Sequence, residues 1–150
     1  MNKQLSLSLL HDELKEVKTH KRELLEQIDR IMPWGELEEL VRQHYYAGVR
    51  GNKPYDLELM LRIHLLQNLY TLSDEGTRNE VVDSRAFSDF CGVESSNQIP
   101  DGDTIGRFRN LLIQNGIHEK FFALVVKTLT DRGLILKKGT IVDSTIIAAP

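Results

Sequence analysis

The 150-residue chain carries 19 Lys and Arg against 22 Asp and Glu, a formal charge of −3, with 41% apolar residues, the mix of one modest globular domain and not of a disordered chain. No run approaches the roughly 18 to 20 apolar residues that a membrane span requires, and the N-terminus lacks the layout of a signal peptide, so a cytoplasmic chain with no membrane partner is expected. One cysteine, Cys91, excludes an internal disulfide and a zinc knuckle.

Residues 5–31 read as one long helix, with Leu10, Leu14, Val17, Leu24, Ile28 and Ile31 spaced by threes and fours and Lys21 interrupting the seam. Such a stripe either pairs two copies or packs on its own domain. Met32-Pro33 stops the helix. A second helix is expected from Trp34 to Tyr46, supported by Glu38 and Arg42 at i,i+4. Gly48–Tyr55 is a loop holding Arg50 and Lys53, and Asp56 then caps a helix from Leu57 to about Leu72. That helix is apolar nearly all round, as a central helix would be. His64 within it has no neighbouring ligand in the sequence and is read as a packing residue.

Ser73 or Asp74 caps a short helix to about Asp83, and Ser84 opens another to Phe90, closed by Gly92. Gly92–Gly102 is the longest polar loop and contains the turn signal Pro100-Asp101-Gly102. Asp103 is the expected cap of a helix from Thr104 to about Gln114, with Ile105, Phe108, Leu111 and Leu112 inward and Arg107, Arg109 and Asn110 exposed. A short helix, a Gly-containing turn and a helix with arginines near its start is the layout of a helix-turn-helix reader, a pattern shared by many helix pairs that bind nothing. A last helix runs from about His118 to Arg132, with Phe121, Phe122, Val125, Val126 and Leu129 on one face.

The stretch Gly139–Pro150 is the one that reads clearly as a strand, being short, β-branched and bounded by Gly and Pro. Alternation puts Asp143 on a face with Ile141, Thr145 and Ile147. A carboxylate among apolar neighbours needs compensation, either from backbone N–H groups and water or from a divalent metal. Charge is unevenly spread. Residues 1–103 hold 12 Lys and Arg against 19 Asp and Glu, whereas residues 104–150 hold 7 against 3, so any nucleic-acid contact is expected in the C-terminal third, a solvated basic helix face accounting equally well for the charge alone.

Ile141-Val142-Asp143-Ser144-Thr145-Ile146-Ile147-Ala148-Ala149-Pro150 resembles the first catalytic strand of bacterial insertion-sequence transposases of the DDE type, in the insertion-sequence-five group. Further words follow in the family's order: Met32-Pro33-Trp34, Lys53-Pro54-Tyr55, Leu59-Met60-Leu61-Arg62-Ile63-His64, Leu72-Ser73-Asp74, Asp83-Ser84-Arg85, Ile99-Pro100-Asp101, Phe108-Arg109 and Arg132-Gly133-Leu134. Gly76 departs from a proline that the family more often shows nearby.

The resemblance implies a mainly α fold. The N-terminal helix (1–31), which carries no word of the family and is read from its periodicity alone, and a helical transposase domain (32–136) would precede one β-strand (137–150) that opens an RNase H-like catalytic domain. It further implies DNA transposition, with Asp143 as first catalytic carboxylate and ligand of Mg²⁺ or Mn²⁺. The family's second Asp and Glu lie beyond Pro150, so the chain is expected to be truncated, to bind no metal alone and to lack activity. Arg107, Arg109, Lys137 and Lys138 are the expected phosphate contacts. The expected partners are DNA at transposon ends and a second copy or a full-length transposase. The alternatives are a non-catalytic DNA-binding module, an inhibitor of the full-length enzyme, and a helical interaction protein.

Overall fold

In a computed structural model of the protein the described residues are 19–46 and 54–134, and they form seven α-helices with no strand among them. In chain order these are α1 (His20–Ile31), α2 (Trp34–Tyr46), α3 (Leu57–Leu69), α4 (Asp74–Asp83), α5 (Arg85–Cys91), α6 (Gly102–Gln114) and α7 (Ile117–Asp131), with a 3₁₀ turn at Ser96–Gln98. The expected strand, the loop with Arg50 and Lys53, and the seam residues Leu10, Leu14 and Val17 lie outside the described residues.

The single helix expected over 5–31 is broken at Thr19. Its backbone is extended and its side chain accepts the Arg22 N–H at 3.2 Å, so Thr19 caps α1, which starts at His20. A β-branched hydroxyl residue is suited to that capping role. Leu24, Leu25 and Ile28 of α1 are buried in the same core as the later helices. Lys21, which interrupts the seam, sets its ammonium 5.1 Å from the ring centres of both Tyr70 and Phe87, where a cation is attracted to the π face.

Helix α3 is the axis of the domain. Asp56 caps it, and Leu57, Met60, Leu61, Ile63, Leu65, Leu66 and Leu69 are all buried. It packs against α2, α4, α5 and α6, which is why it is apolar nearly all round. It ends at Leu69, short of the expected Leu72, because Thr71 takes a left-handed backbone with φ 52°.

Two caps on the next helices match the sequence pattern. Ser73 accepts the Gly76 N–H at 2.9 Å and Ser84 accepts the Phe87 N–H at 3.2 Å. A side chain at Gly76 would put its Cβ 2.9 Å from the Ser73 hydroxyl, so the departure at this position suits the cap. For α6 the cap is Asp101 rather than Asp103: the Asp101 carboxylate accepts the Thr104 N–H at 2.8 Å, and Gly102 opens the helix. The loop before it is not purely polar, since Val93 and Ile99 are buried.

Candidate nucleic-acid interface

Helix α6 has three distinct sides. Ile105, Phe108 and Leu112 are buried in the core. Gly102 and Gly106, four residues apart, are also buried and let α4 come close: a Cβ on Gly106 would lie 2.7 Å from Asp74 Oδ2. On the outside, Asp103, Arg107, Asn110 and Gln114 are all exposed. Their spacing of four, three and four residues makes one straight row along the helix. Arg107 Nη2 lies 2.7 Å from Asp103 Oδ2, and both side chains stay open to solvent, at 78% and 70% exposure.

Arg109, expected to be exposed, is instead turned inward along α4. Its Nε and Nη2 donate to the two oxygens of Asp74 at 3.2 and 2.9 Å, and Gln67 of α3 donates to the same carboxylate at 2.8 Å. The Arg109 hydrogen bond, with help from Gln67, holds the Asp74 carboxyl below the usual carboxylate range, and the Arg109 pKa is raised in turn. Arg109 Nη1 also donates to Asn110 Oδ1 at 3.3 Å. Nothing in the sequence signals this pair, because Asp74 and Arg109 are 35 residues apart.

The helix-turn-helix expected from the short helix before Gly92 and the helix after it does not form as a packed pair. Helix α6 packs against α4 and α7 instead of α5. The ten-residue connection is too long for the tight turn such a pair needs, and the two glycines on α6 direct it to α4.

His64 is buried to 1% exposure with its Nε2 3.2 Å from His118 Nδ1, inside a ring of Phe108, Phe121 and Phe122. Burial, with the nearby His118 and Arg109 charges, pushes its pKa down to about 3. It is neutral at pH 7 and shut away from solvent, consistent with the packing role read from the sequence. The partner could not be foreseen, because His118 is 54 residues distant.

Residues 104–134 carry Arg107, Arg109, Lys120, Lys127 and Arg132 against Glu119 and Asp131. Lys120, Lys127 and Arg132 are exposed on or beside α7, with Lys127 3.1 Å from Asp131. Among the earlier helices the exposed charge of α2 and α4 is mostly acidic, at Glu36 and Glu39 and at Glu75 and Asp83, while α1 balances Glu23 with Arg30 and α5 balances Asp89 with Arg85. Asp143, Lys137 and Lys138 lie outside the described residues. Among the described residues no three His, Cys, Asp or Glu side chains are grouped to hold a metal, and no helix is long and apolar enough to cross a membrane.

A family model described as Transposase domain (DUF772) matches residues 12–111, from before α1 into α6. No solved structure matches the chain.

Proposed function

Because the chain belongs to the transposase domain family over residues 12–111, we propose that its helices are the DNA-binding region of an enzyme for DNA transposition. The observation that carries this reading is the balance of exposed charge: on α6, on α7 and just after it, Arg107, Lys120, Lys127 and Arg132 stand against Asp103, Glu119 and Asp131, while the exposed charge of α2 and α4 is mostly acidic. An acidic body is repelled by a polyanion, so a molecule of this kind meets DNA through its basic end. Lys137 and Lys138 extend the basic run. Arg109, held by Asp74, supports α6 and contributes positive charge behind it.

Asp143 is the carboxylate we assign to metal binding, for Mg²⁺ or Mn²⁺, as in metal-assisted phosphodiester cleavage and joining. The described helices offer no grouped acidic side chains to complete such a site, so no step of that chemistry is placed on them.

A titration of a fluorescent 30-base-pair duplex of arbitrary sequence, repeated from 50 to 200 mM salt, tests the DNA reading. Neutralising three phosphates gives a log–log slope of about −2.7. Absent binding, or binding insensitive to salt, overturns it.

A further inference from the structure

We infer that α6 is a base-reading helix, with Arg107, Asn110 and Gln114 entering the major groove of duplex DNA. This rests on the DNA-binding reading above and adds to it the residues that select sequence. Three observations converge on α6.

The first is the chemistry of the row. Arg pairs with the O6 and N7 edge of guanine, and Asn and Gln pair with the N6 and N7 edge of adenine. All three side chain types stand on one exposed face of α6. Among the described helices α6 is the one whose exposed face holds all three types; α1 exposes Gln27 and Arg30, and α2 exposes Arg42 and Gln43, each beside exposed glutamate and without an Asn. The outward positions of α7 are Glu119, Lys120, Ala123, Val126, Lys127, Thr130 and Asp131, where the two lysines stand among two acids and lack the planar fork with which arginine grips a base edge. On α2 the outward Glu36 and Glu39 repel DNA, and on α4 Glu75 and Asp83 do the same.

The second is orientation. Asp103 holds one amino group of Arg107 at 2.7 Å, which steers the guanidinium along the helix and leaves its other N–H groups free of that bond. Arg109 Nη1 donates to Asn110 Oδ1 at 3.3 Å. That bond uses one lone pair of the amide oxygen and sets the direction of the Asn110 amide, and a second lone pair can accept from adenine. Arg109 is a positioning residue here, fixed in turn by Asp74.

The third is rigidity and reach. The opposite side of α6 is locked by Ile105, Phe108 and Leu112, and its flank by the close approach of α4 at Gly106, so the row is presented by a fixed element. From 107 to 114 the helix rises about 10.5 Å, which spans about three base pairs at 3.4 Å each.

The test is selection by the full chain from duplexes with a random 20-base-pair centre, followed by sequencing. The wild type should enrich a short core containing G and A. Arg107→Lys, Asn110→Ala and Gln114→Ala should each lose about tenfold in discrimination at one position of that core. The salt slope of Arg107→Lys on unselected duplex should stay as in wild type. The three side chains are exposed, so unchanged helical circular dichroism is expected for each, and each variant is read separately.

Wild-type binding that enriches no sequence, or variants that enrich the wild-type core unchanged, overturns base reading and leaves backbone binding standing. Absence of any salt-dependent binding overturns both.

Discussion

The guanidinium carbon of Arg62 lies 4.3 Å from the centre of the Trp34 ring. The same group sits 5.2 Å from the Phe90 ring, donates to the Phe90 carbonyl at 2.8 Å, and pairs with Asp29 at 2.8 Å and Glu58 at 3.6 Å. Trp34 Nε1 in turn donates to Asp29. One side chain of α3 thus ties together α1, the start of α2 and the end of α5. Two of the words that carry the family resemblance, Met32-Pro33-Trp34 and Leu59–His64, meet at this stack.

Replacing Arg62 with Lys should cost about 2 kcal/mol. An ammonium keeps the charge but cannot both stack flat on the indole and hold the carbonyl and the carboxylate together. Urea unfolding at pH 7 measures this, and a loss below about 0.5 kcal/mol would show that charge alone matters.

Acid should weaken the fold through His64. Burial pushes the folded-state pKa of His64 down to about 3 from the ordinary 6.5. The folded chain therefore binds fewer protons than the unfolded chain between those values. The stabilisation is complete above about pH 6.5 and is lost progressively as pH falls toward 3, at about 1.4 kcal/mol per pH unit. Between pH 7 and pH 5 the expected loss is about 2 kcal/mol. His64→Met should flatten this limb, and an unchanged pH dependence in that variant would assign the effect elsewhere. Asp74, whose carboxyl is held low, adds its own loss only below about pH 4.

The two glycines of α6 should respond differently to alanine. At Gly106 the new Cβ meets an Asp74 oxygen at 2.7 Å, and that carboxylate is pinned by Arg109. Gly106→Ala should therefore cost about 1–2 kcal/mol, despite the roughly 1 kcal/mol that alanine gains as a helix former. At Gly102 the obstacle is the carboxylate end of Glu75, an exposed residue free to swing aside. Gly102→Ala should be near neutral. Equal losses for both, by thermal unfolding, would refute the role of the Asp74 pair.

The capping assignment on α6 is checked by two aspartates two residues apart. Asp101→Ala removes the acceptor of the Thr104 N–H and should lower the urea midpoint. Asp103→Ala removes only an exposed ion pair with Arg107 and should leave it almost unchanged. The reverse ranking would restore Asp103 as the cap.

Helix positions were largely legible because capping chemistry and 3.6-residue spacing are local. Asp56, Ser73 and Ser84 begin α3, α4 and α5 as the pattern indicated, and α2 runs over the expected Trp34–Tyr46. Errors came where two local signals compete or where the signal is distant. Asp101 and Asp103 are both competent caps, and the Gly102 between them hides which is used. Arg109 reads as a surface arginine until α4 brings Asp74 to it. The outward row on α6 is legible only in part, since periodicity exposes Arg107 and Asn110 while Gln114 falls at the expected end of the helix, where periodicity gives no face.

The Arg62 stack also couples the end of α1 to the rest of the domain. Were α1 to detach, Arg62 would lose Asp29 while still held against two aromatic rings, so unzipping the last turn of α1 strands a half-neutralised cation in the interior. Amide protons around Ile28 should accordingly exchange with deuterium in step with those of α3 rather than ahead of them, as members of one cooperative unit.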